Sequence, residues 1–492
     1  MHVLPNRRRA TRRAVVRGSL AATAMATPIA RKLQATPATP EADDVDTVFS
    51  ELDELAARRM SELGIPGAAI GVIAGNQEHT AAFGVTSIDQ PLPVDADTIF
   101  QIGSTTKTYT GTAIMRLVEQ GTLDLDAPVQ TWLPDFRVAD PDVSRDVRLW
   151  HLLTHTAGWL DAGNPRTGRG DDALTGFVDS LADVSQVVPP GSRFSYNNSA
   201  LAVAGRVIEV VTDQPYESAI AELVLQPLGL EHAGFFPEDI MTKSFAVGHA
   251  DDNGELSVVE PWGLERAMNP AGGLAASLND ELRYARFLLG DGTMDGTRLL
   301  SADTMTRVHS PLGPEGSVPS IPRHLDAVGV AWLLWTHGGE RIISHPGGTE
   351  GQQSTFTLVP GRDFAITVLT NANTGVQFGN ELTDWALERF LGLPLEPIET
   401  IPATPGLIAD YSGTYAHPDQ PDSIRVGEAD GELRLEWQVP DQAPVTIPLI
   451  LAVDDKAYVD YLGLTAPVDF VRDASGTVAW IRFIGRLVPK TA

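Results

Sequence analysis

The sequence IGSTTKTYT occupies residues 102–110, and the other motifs of the chain are interpreted in relation to it. It opens a run of helix-forming residues that we expect to continue to about Gln120. Ser104 and Lys107 are three residues apart, so a helix brings their side chains to one face. The same face continues through three apolar or small residues, which are Gly111, Ile114 and Val118. This pattern predicts that the face turns inward.

An inward lysine beside a serine indicates nucleophilic chemistry. Burial of an ammonium group is costly, and desolvation lowers the pKa of a lysine so that its amine can act as a base at neutral pH. Ser104 is expected in the first helical turn, where free backbone N–H groups favour developing negative charge. The motif therefore predicts a nucleophile, a base and half of an oxyanion site. The alternative is a capping serine with a solvated lysine.

Composition sets the broad class of the protein. The chain has 492 residues, of which 43% are hydrophobic and 20% are charged, as in soluble globular proteins of several domains. It contains no cysteine, which removes thiol nucleophiles, disulfides and cysteine-ligated metals. The formal net charge is −28, and such an acidic surface repels nucleic acid. We therefore expect no nucleic-acid partner.

The N-terminus differs from the rest of the chain. Two arginine clusters, Arg7–Arg9 and Arg12–Arg13, precede a modest apolar stretch from Gly18 to Ala30. That stretch is too short for a stable transmembrane helix, and Thr11–Val16 resembles a twin-arginine export signal. We predict that residues 1–42 are an export signal and a flexible tether, and that the mature protein is periplasmic or extracellular with no stable membrane span. The alternative is a disordered basic arm that binds a partner.

Hydrophobic periodicity predicts mixed helices and strands up to about residue 392. We expect a helix from Asp46 to Leu63, a hairpin from Ala68 to Val85, and a mainly helical region from Gly121 to about residue 290. From Val328 the period changes to two, and a last helix covers Phe378 to Phe390. The expected strands in this part are Val328–Trp335, Arg341–Ser344, Gln353–Val359 and Asp363–Thr370.

The C-terminal part has a different pattern. Leu391 to Pro405 is rich in proline and is expected to be a linker. The 87 residues that follow carry short alternating segments, which are typical of a small β-barrel or sandwich. The expected strands are Ser423–Val426, Glu432–Trp437, Pro444–Val453, Ala457–Leu462, Val468–Arg472 and Val478–Phe483, with a hairpin turn at Asp430–Gly431.

Two histidines raise the question of a metal site. His151 and His155 are four residues apart, which is the spacing of two zinc ligands on a helix. The glutamate of the metalloprotease pattern is missing, and no third ligand follows. We therefore favour structural roles for both histidines, and we expect neither a metal nor a cofactor.

Two further segments are candidate partners of the serine. Tyr196–Asn198 stands just before an expected helix, so its side chains either cap that helix or supply a phenol and an amide to a site. His345 begins the sequence HPGG after the strand Arg341–Ser344. Glycine there lets the backbone approach a ligand closely. The alternative for His345 is a surface position at a strand end.

Residues 43–392 resemble the serine β-lactamase and penicillin-binding-protein superfamily, and within it the class C β-lactamase-like serine hydrolases. Three motifs match in order: Ser104–Lys107 is similar to the Ser-x-x-Lys element, Tyr196–Asn198 to the Tyr-x-Asn element, and His345–Gly347 to the Lys-Thr-Gly-like element. The resemblance implies an α+β fold, an antiparallel sheet flanked by helices with a mainly helical insert. Residues 405–492 resemble the small all-β, lipocalin-like barrel appended to some of these hydrolases, and we expect it to lie near the active-site mouth.

The resemblance also implies roles for the motif residues. Ser104 is expected to attack a carbonyl carbon and form an acyl-enzyme, while Lys107 and Tyr196 share the general-base work. Which of the two carries the proton is a coupled question. The backbone N–H groups of Ser104 and Gly348 are expected to form the oxyanion hole.

The substrate-binding side follows from the same resemblance. Asn198 is expected to hydrogen-bond Lys107 or a substrate amide, and Gly347 to let the strand edge approach the substrate. The third motif departs from the lactamase form, because His345 replaces lysine and Pro346 replaces threonine. A histidine is mostly uncharged at neutral pH and proline has no hydroxyl, so both hold a substrate carboxylate less firmly.

The sequence thus predicts an exported serine hydrolase that acts through an acyl-enzyme on an amide or ester bond. Its substrate is expected to be a small molecule or short peptide, with a D-amino-acid peptide or small ester favoured over a β-lactam. The alternatives are a β-lactamase and a non-catalytic penicillin-recognising or sensor module. A Gly-x-Ser-x-Gly hydrolase is excluded because that pentapeptide is absent. Nothing in the sequence predicts the oligomeric state.

Overall fold

The computed structural model describes residues 42–163, 166–252, 255–260, 262–313, 325–429, 431–461 and 464–491. These residues fall within one compact unit, Thr39–Ala492. Residues 1–41, which hold the predicted export signal, and Asp430 of the predicted hairpin turn lie outside the described residues. Within them, no helix is both long and apolar enough to cross a membrane.

The helices of the described chain are mostly short. They are α1 (Ala42–Glu62), α2 (Thr106–Glu119), α3 (Pro141–Asp146), α4 (Leu149–Leu153), α5 (Ala173–Ser180), α6 (Asn198–Thr212), α7 (Tyr216–Ile220), α8 (Gln226–Leu228), α9 (Pro237–Ile240), α10 (Asn269–Gly272), α11 (Leu278–Leu289), α12 (Ala302–Val308), α13 (Gly375–Leu391) and α14 (Pro405–Tyr411).

The strands fall into an N-terminal and a C-terminal group. The first group is β1 (Gly67–Ala74), β2 (Gln77–Gly84), β3 (Ile99–Gln101), β4 (His249–Asp252), β5 (Glu255–Val258), β6 (Ala275–Ser277), β7 (Thr293–Met294), β8 (Thr297–Arg298), β9 (Leu325–Val328), β10 (Leu333–His337), β11 (Glu340–Thr349), β12 (Gln352–Val359) and β13 (Phe364–Thr370). The second is β14 (Gly413–Ala416), β15 (Ser423–Ala429), β16 (Glu432–Gln438), β17 (Val445–Pro448), β18 (Ile450–Leu451), β19 (Lys456–Tyr461), β20 (Leu464–Arg472), β21 (Val478–Phe483) and β22 (Arg486–Pro489).

The central sheet is antiparallel and is completed by both ends of the first 391 residues. Its described strands are ordered β2-β1-β13-β12-β11-β10-β9, and β1 pairs with β13 so that Ile70 faces Val368. Side chains alternate between the two faces of a strand. Ile70 packs with α1 and α13, whereas Ile73 packs in the core on the helical side that includes α11. The predicted antiparallel sheet flanked by helices is confirmed.

The predicted strand Val328–Trp335 is wrong. It is not continuous, because β9 ends at Val328 and β10 begins at Leu333. Between them Ala331 has a φ of 58°, and its N–H donates to the carbonyl oxygen of Leu153 at 3.1 Å. A residue in the left-handed region cannot continue a strand, and its hydrogen bond goes to the helical insert instead.

The predicted helix after Ser104 is present, but its burial is broader than the predicted stripe. The first turns of α2 are buried on every side, including residues outside the stripe such as Tyr109 and Thr112. The insert and the sheet enclose this helix, so it is a core helix rather than a surface helix with one apolar face.

The C-terminal region contains two antiparallel sheets, β14-β15-β16-β17 and β18-β19-β20-β21-β22. A bridge between Tyr415 and Lys490 connects β14 to the end of the last strand. Between the sheets lies a separate apolar core, which includes Tyr415, Leu435 and Ile481. The predicted strand Pro444–Val453 is two short strands, while α14, β14 and β22 were not predicted.

Candidate active site

Ser104 lies in a 3-10 turn, Gly103–Thr105, that leads directly into α2. The Nζ atom of Lys107 is 2.9 Å from Ser104 Oγ and donates to the carbonyl oxygen of Ala271 at 2.6 Å. Lys107 is 0% exposed, and burial lowers its pKa well below the usual value. A neutral amine in hydrogen-bond contact with a serine hydroxyl can accept the hydroxyl proton.

The serine turn, Gly103–Thr105, packs closely against the backbone of Gly348 and is linked through Thr106 to the Leu274 N–H. Gly103 has a φ of +49°, and a Cβ there would overlap the backbone nitrogen of Gly348. Thr106 Oγ1 donates to Gly103 O at 2.7 Å and accepts from the Leu274 N–H at 3.1 Å. A glycine is required at position 103 both for the conformation and for the close approach of β11.

The strand β11 approaches the serine turn at Gly347. A Cβ on Gly347 would overlap the carbonyl oxygen of Ile102 and would lie 2.6 Å from Ser354 Oγ. The Ser354 hydroxyl in turn donates to Ile102 O at 2.8 Å. Gly347 therefore lets the strand approach the serine turn closely, and its predicted approach to a substrate stays a prediction. The next residue, Gly348, is exposed at the same strand edge.

Tyr196 lies beside the Ser104–Lys107 pair. Lys107 Nζ is 4.9 Å from the centre of the Tyr196 ring. Burial raises the pKa of Tyr196 to about 12, although the neighbouring Ser104 hydroxyl and the positive charge of Arg486 act in the opposite direction. The structure therefore brings the three predicted catalytic residues together, with the phenol protonated at neutral pH.

The two histidines of the possible zinc pattern have separate structural contacts. His155 stacks on Tyr196 with ring centres 4.3 Å apart, and its Nδ1 accepts from the Asn197 N–H at 3.0 Å. His151 Nδ1 accepts from the Arg148 N–H at 2.9 Å. Helix α4 ends at Leu153, so the two rings do not share a helical face. Burial lowers the pKa of His151 to about 4 and that of His155 well below its usual value.

Asn198 contacts a carboxylate that was not predicted. Asp161 Oδ1 accepts from the N–H groups of Asn198 at 3.1 Å and Ser199 at 3.0 Å, and its Oδ2 accepts from Asn198 Nδ2 at 3.3 Å. Lys107 bonds to Ser104 and Ala271 rather than to Asn198. Asn198 was expected to bond either Lys107 or a substrate amide, and it does not bond Lys107 in the structure.

The prediction that His345 follows the end of a strand is wrong, because β11 continues to Thr349 and the His345 ring is buried within it. His345 is 1% exposed, its ring centre lies 6.4 Å from that of Tyr196, and its Nδ1 is 2.7 Å from the carbonyl oxygen of Pro346. Since a carbonyl can only accept, Nδ1 carries the proton in the neutral ring. Burial lowers the pKa of His345 to about 3, with a smaller contribution from Lys107. A neutral, buried histidine supplies no positive charge for a substrate carboxylate.

Three groups of this site were missed by sequence reasoning: Asp161, the Ala271 carbonyl and Arg486. Arg486 Nη2 bonds Asp161 Oδ2 at 2.8 Å, and its Cζ lies 5.5 Å from the centre of the Tyr196 ring. Arg486 belongs to β22, a strand that was not predicted either. The glycine at position 485, after an alternating segment, is the local hairpin signal that would have indicated this strand.

This combination of fold and site defines the serine hydrolases of the β-lactamase and penicillin-binding-protein superfamily. The family model described as Beta-lactamase matches residues 52–389, and the chain belongs to that family. The protein is therefore a serine hydrolase with the β-lactamase-like fold.

Similar proteins cover different parts of the chain. Penicillin-binding protein 4 of Amycolatopsis lactamdurans is 35% identical over 72% of this chain and 94% of its own. Esterase EstB of Burkholderia gladioli is 35% identical over 43% of this chain and 57% of its own. The solved structure of SurE with D-Leu is 25% identical, has a TM-score of 0.70, and covers 91% of this chain and 100% of the SurE chain.

Proposed function

We propose that the protein is an exported hydrolase that acts through an acyl-enzyme on an amide or ester bond, and that its substrate is a D-amino-acid peptide or a small ester rather than a β-lactam. The observation that carries the proposal is the contact between Ser104 Oγ and the buried amine of Lys107, 2.9 Å apart. Ser104, Lys107 and Tyr196 are the proposed catalytic residues.

Acylation begins with attack of Ser104 Oγ on the carbonyl carbon. Lys107 is the proposed base because its amine is neutral, and it takes the hydroxyl proton as the new C–O bond forms. Tyr196 is the proposed acid because its phenol, with a pKa of about 12, keeps its proton at neutral pH. It gives that proton to the leaving nitrogen or oxygen as the scissile bond breaks, and the proton held by Lys107 then passes to the phenolate.

The oxyanion of the tetrahedral intermediate accepts from the backbone N–H groups of Ser104 and Gly348 in this proposal. The close approach of Gly348 to Gly103 supports this assignment, because it brings the backbone of β11 next to the serine turn. The loss of one such donor costs on the order of 100-fold in rate. In deacylation, water attacks the acyl carbon, and the pair of Lys107 and Tyr196 accepts its proton and returns one to Ser104.

The preference for a peptide or ester rests on the strand β11. His345 is neutral and buried, and Pro346 has no hydroxyl, so neither offers the charged or hydroxyl contact that a β-lactam carboxylate needs. The similarity to an esterase and to a protein whose structure contains D-Leu supports the same choice. Asn198 and the Gly347–Gly348 edge are the proposed substrate contacts, and the partner is a small molecule or short peptide.

The enzyme is tested with one panel of substrates. A chromogenic cephalosporin, short nitrophenyl esters and D-amino-acid anilides are offered to the wild type and to Ser104→Ala. We expect hydrolysis of an ester or anilide that exceeds that of the cephalosporin, and its loss in Ser104→Ala. Preferential hydrolysis of the cephalosporin supports the alternative β-lactamase. An acyl adduct, seen by intact-protein mass spectrometry, that never turns over supports the sensor module.

Export by the twin-arginine route and the division into domains 43–392 and 405–492 complete the proposal. The clustered arginines before an apolar stretch support export. A fusion of residues 1–42 to a reporter that is active only outside the cytoplasm tests it. We expect export that is abolished by Arg12→Lys with Arg13→Lys; export that persists contradicts the twin-arginine route.

A further inference from the structure

The last hairpin of the chain, β21 to β22, is bonded to the segment that carries Tyr196. The Tyr196 N–H donates to the carbonyl oxygen of Gly485 at 2.8 Å. The Leu487 N–H donates to Ser195 Oγ at 3.1 Å, and Arg482 Nε donates to the carbonyl oxygen of Phe194 at 3.0 Å. Each of the three consecutive residues 194 to 196 therefore makes a hydrogen bond with this hairpin.

The anchor of this contact is a buried ion pair. Arg482 is 1% exposed and pairs with Asp469, with Nη1 and Oδ2 2.6 Å apart. A buried guanidinium with a carboxylate partner has little freedom to move, because separating the pair would leave two uncompensated charges. Beside it, Val188 of the helical insert packs with Val471 and Leu487. The hairpin is thus fixed to the insert by both polar and apolar contacts.

At the tip of the hairpin, Arg486 reaches the proposed active site. Its guanidinium pairs with Asp161, whose side chain is 7% exposed and also accepts the N–H groups at the start of α6. The same guanidinium lies 5.5 Å from the centre of the Tyr196 ring, which is cation–π distance. Arg486 therefore contacts Tyr196 and also neutralises the charge of Asp161, the carboxylate that accepts from the N–H groups at the start of α6.

We propose that Arg486, acting with Asp161, is a positioning residue that sets the orientation and charge environment of Tyr196 and Lys107. It makes the C-terminal sheets a working part of the hydrolase site. This inference rests on the proposed function, because it assumes that Lys107 and Tyr196 transfer protons.

The charged and titratable groups around Tyr196 come from several elements. They are Lys107 of α2, His155 after α4, Asp161, His345 of β11 and Arg486 of β22. Burial holds both histidines neutral, so they add no charge. The positive charge of Arg486 lowers the pKa of Lys107 and of Tyr196, whereas the negative charge of Asp161 raises both. The two charges therefore act in opposite directions on the same proton-transfer pair.

Because the two charges act in opposite directions, their removal should shift the pH dependence of activity in opposite directions, which a purely structural role does not predict. The proposed base must be neutral, so kcat/KM falls as the pH falls through the Lys107 pKa. Arg486→Gln raises that pKa. The acidic limb of the pH profile of kcat/KM should then move to higher pH by roughly half a unit to one unit. Asp161→Asn lowers it, and the limb should move to lower pH, while Asn still offers an Oδ1 acceptor to α6. The double variant should lie between the two.

Controls separate charge from folding. Arg486→Lys keeps the charge, so its acidic limb should stay near that of the wild type even if kcat falls. Arg425→Gln removes an equal charge from an exposed position on β15 and should change nothing. Thermal unfolding of each variant shows whether the fold is kept. An unmoved limb in both Arg486→Gln and Asp161→Asn, with the fold intact, overturns the inference.

Tyr196→Phe distinguishes the two levels of the proposal. If Tyr196→Phe is inactive and the Arg486 and Asp161 variants leave the limb in place, only the positioning role is wrong. If Tyr196→Phe keeps full activity on the best substrate of the panel, the proposed proton transfer itself is wrong.

Discussion

The backbone N–H of Tyr196 donates to the carbonyl oxygen of Gly485, 2.8 Å away and almost 300 residues later in the chain. Gly485 has a φ of +77°, and a Cβ there would lie 3.2 Å from the Cβ of Tyr196. A tight turn in the left-handed conformation thus fits closely against the proposed acid. The C-terminal sheets are therefore in direct contact with the site.

Gly485→Ala should lower activity with little loss of global stability. A Cβ at this position faces both an unfavourable φ and a crowded neighbour, so the turn shifts and Tyr196 shifts with it. We expect a reduction in kcat of roughly 10- to 100-fold, since small misplacements of catalytic groups have effects of this size. Gly476→Ala, at another left-handed turn with open space around it, is the matched control. Equal activity of the two variants contradicts the prediction.

Ser104→Ala and Lys107 variants test the nucleophile and base. We expect Ser104→Ala to lose at least ~1,000-fold in kcat/KM because the acyl-enzyme cannot form. Lys107→Gln and Lys107→Arg should each lose roughly 100- to 10,000-fold, because neither side chain can accept a proton at neutral pH. Steady-state kinetics on the best substrate measures all three. Substantial activity in Lys107→Arg means that positive charge, rather than basicity, is what position 107 supplies.

Gly347→Ala should be poorly tolerated for steric reasons. The added methyl group overlaps the Ile102 carbonyl and crowds Ser354, so β11 must move away from the serine turn. Overpacking of this kind costs about 1–3 kcal/mol, and displacement of the proposed oxyanion donor should reduce kcat as well. Gly427→Ala, in strand β15 with nothing near its Cβ position, is the control. Chemical denaturation and kinetics are compared for both; a normal Gly347→Ala enzyme would falsify the close approach.

Glu281 should make stability depend on pH. It is fully buried in α11, accepts a 2.7 Å hydrogen bond from the Tyr109 hydroxyl, and burial raises its pKa to about 8. The folded state therefore holds a proton that the unfolded state releases near pH 4.5, so this residue's contribution to stability falls as pH rises from about 4.5 to about 8.

Glu281→Gln removes this titration and still offers an oxygen to Tyr109. We expect the variant to lose less thermal stability than the wild type between pH 5.5 and pH 8.5, which differential scanning calorimetry measures at matched ionic strength. Asp280 is its neighbour, and burial raises its pKa to about 6, so the lower end of the range contains a second titration in both proteins. Identical pH dependence of the two proteins contradicts a protonated Glu281.

The central residues of the site could be identified from local sequence and motif order. Ser104 and Lys107 are three residues apart, across the 3-10 turn that leads into α2, and this local geometry alone brings them together. The presence of β1, β12 and β13 and the positions of α1, α2, α6 and α13 were also predicted from local sequence patterns. The resemblance of three ordered motifs then indicated that Tyr196 and the β11 glycines meet the serine.

The surroundings of these residues depend on tertiary packing. The burial that makes Lys107 neutral comes from the insert and sheet packed around α2, and its acceptor on Ala271 is 164 residues away. The pair of Arg486 and Asp161 spans 325 residues and belongs to no motif. His345 was expected to bind substrate or to lie at the surface of a strand end, and the fold buries its ring. Contacts of this separation depend on how layers pack, and neither periodicity nor motif spacing carries that information.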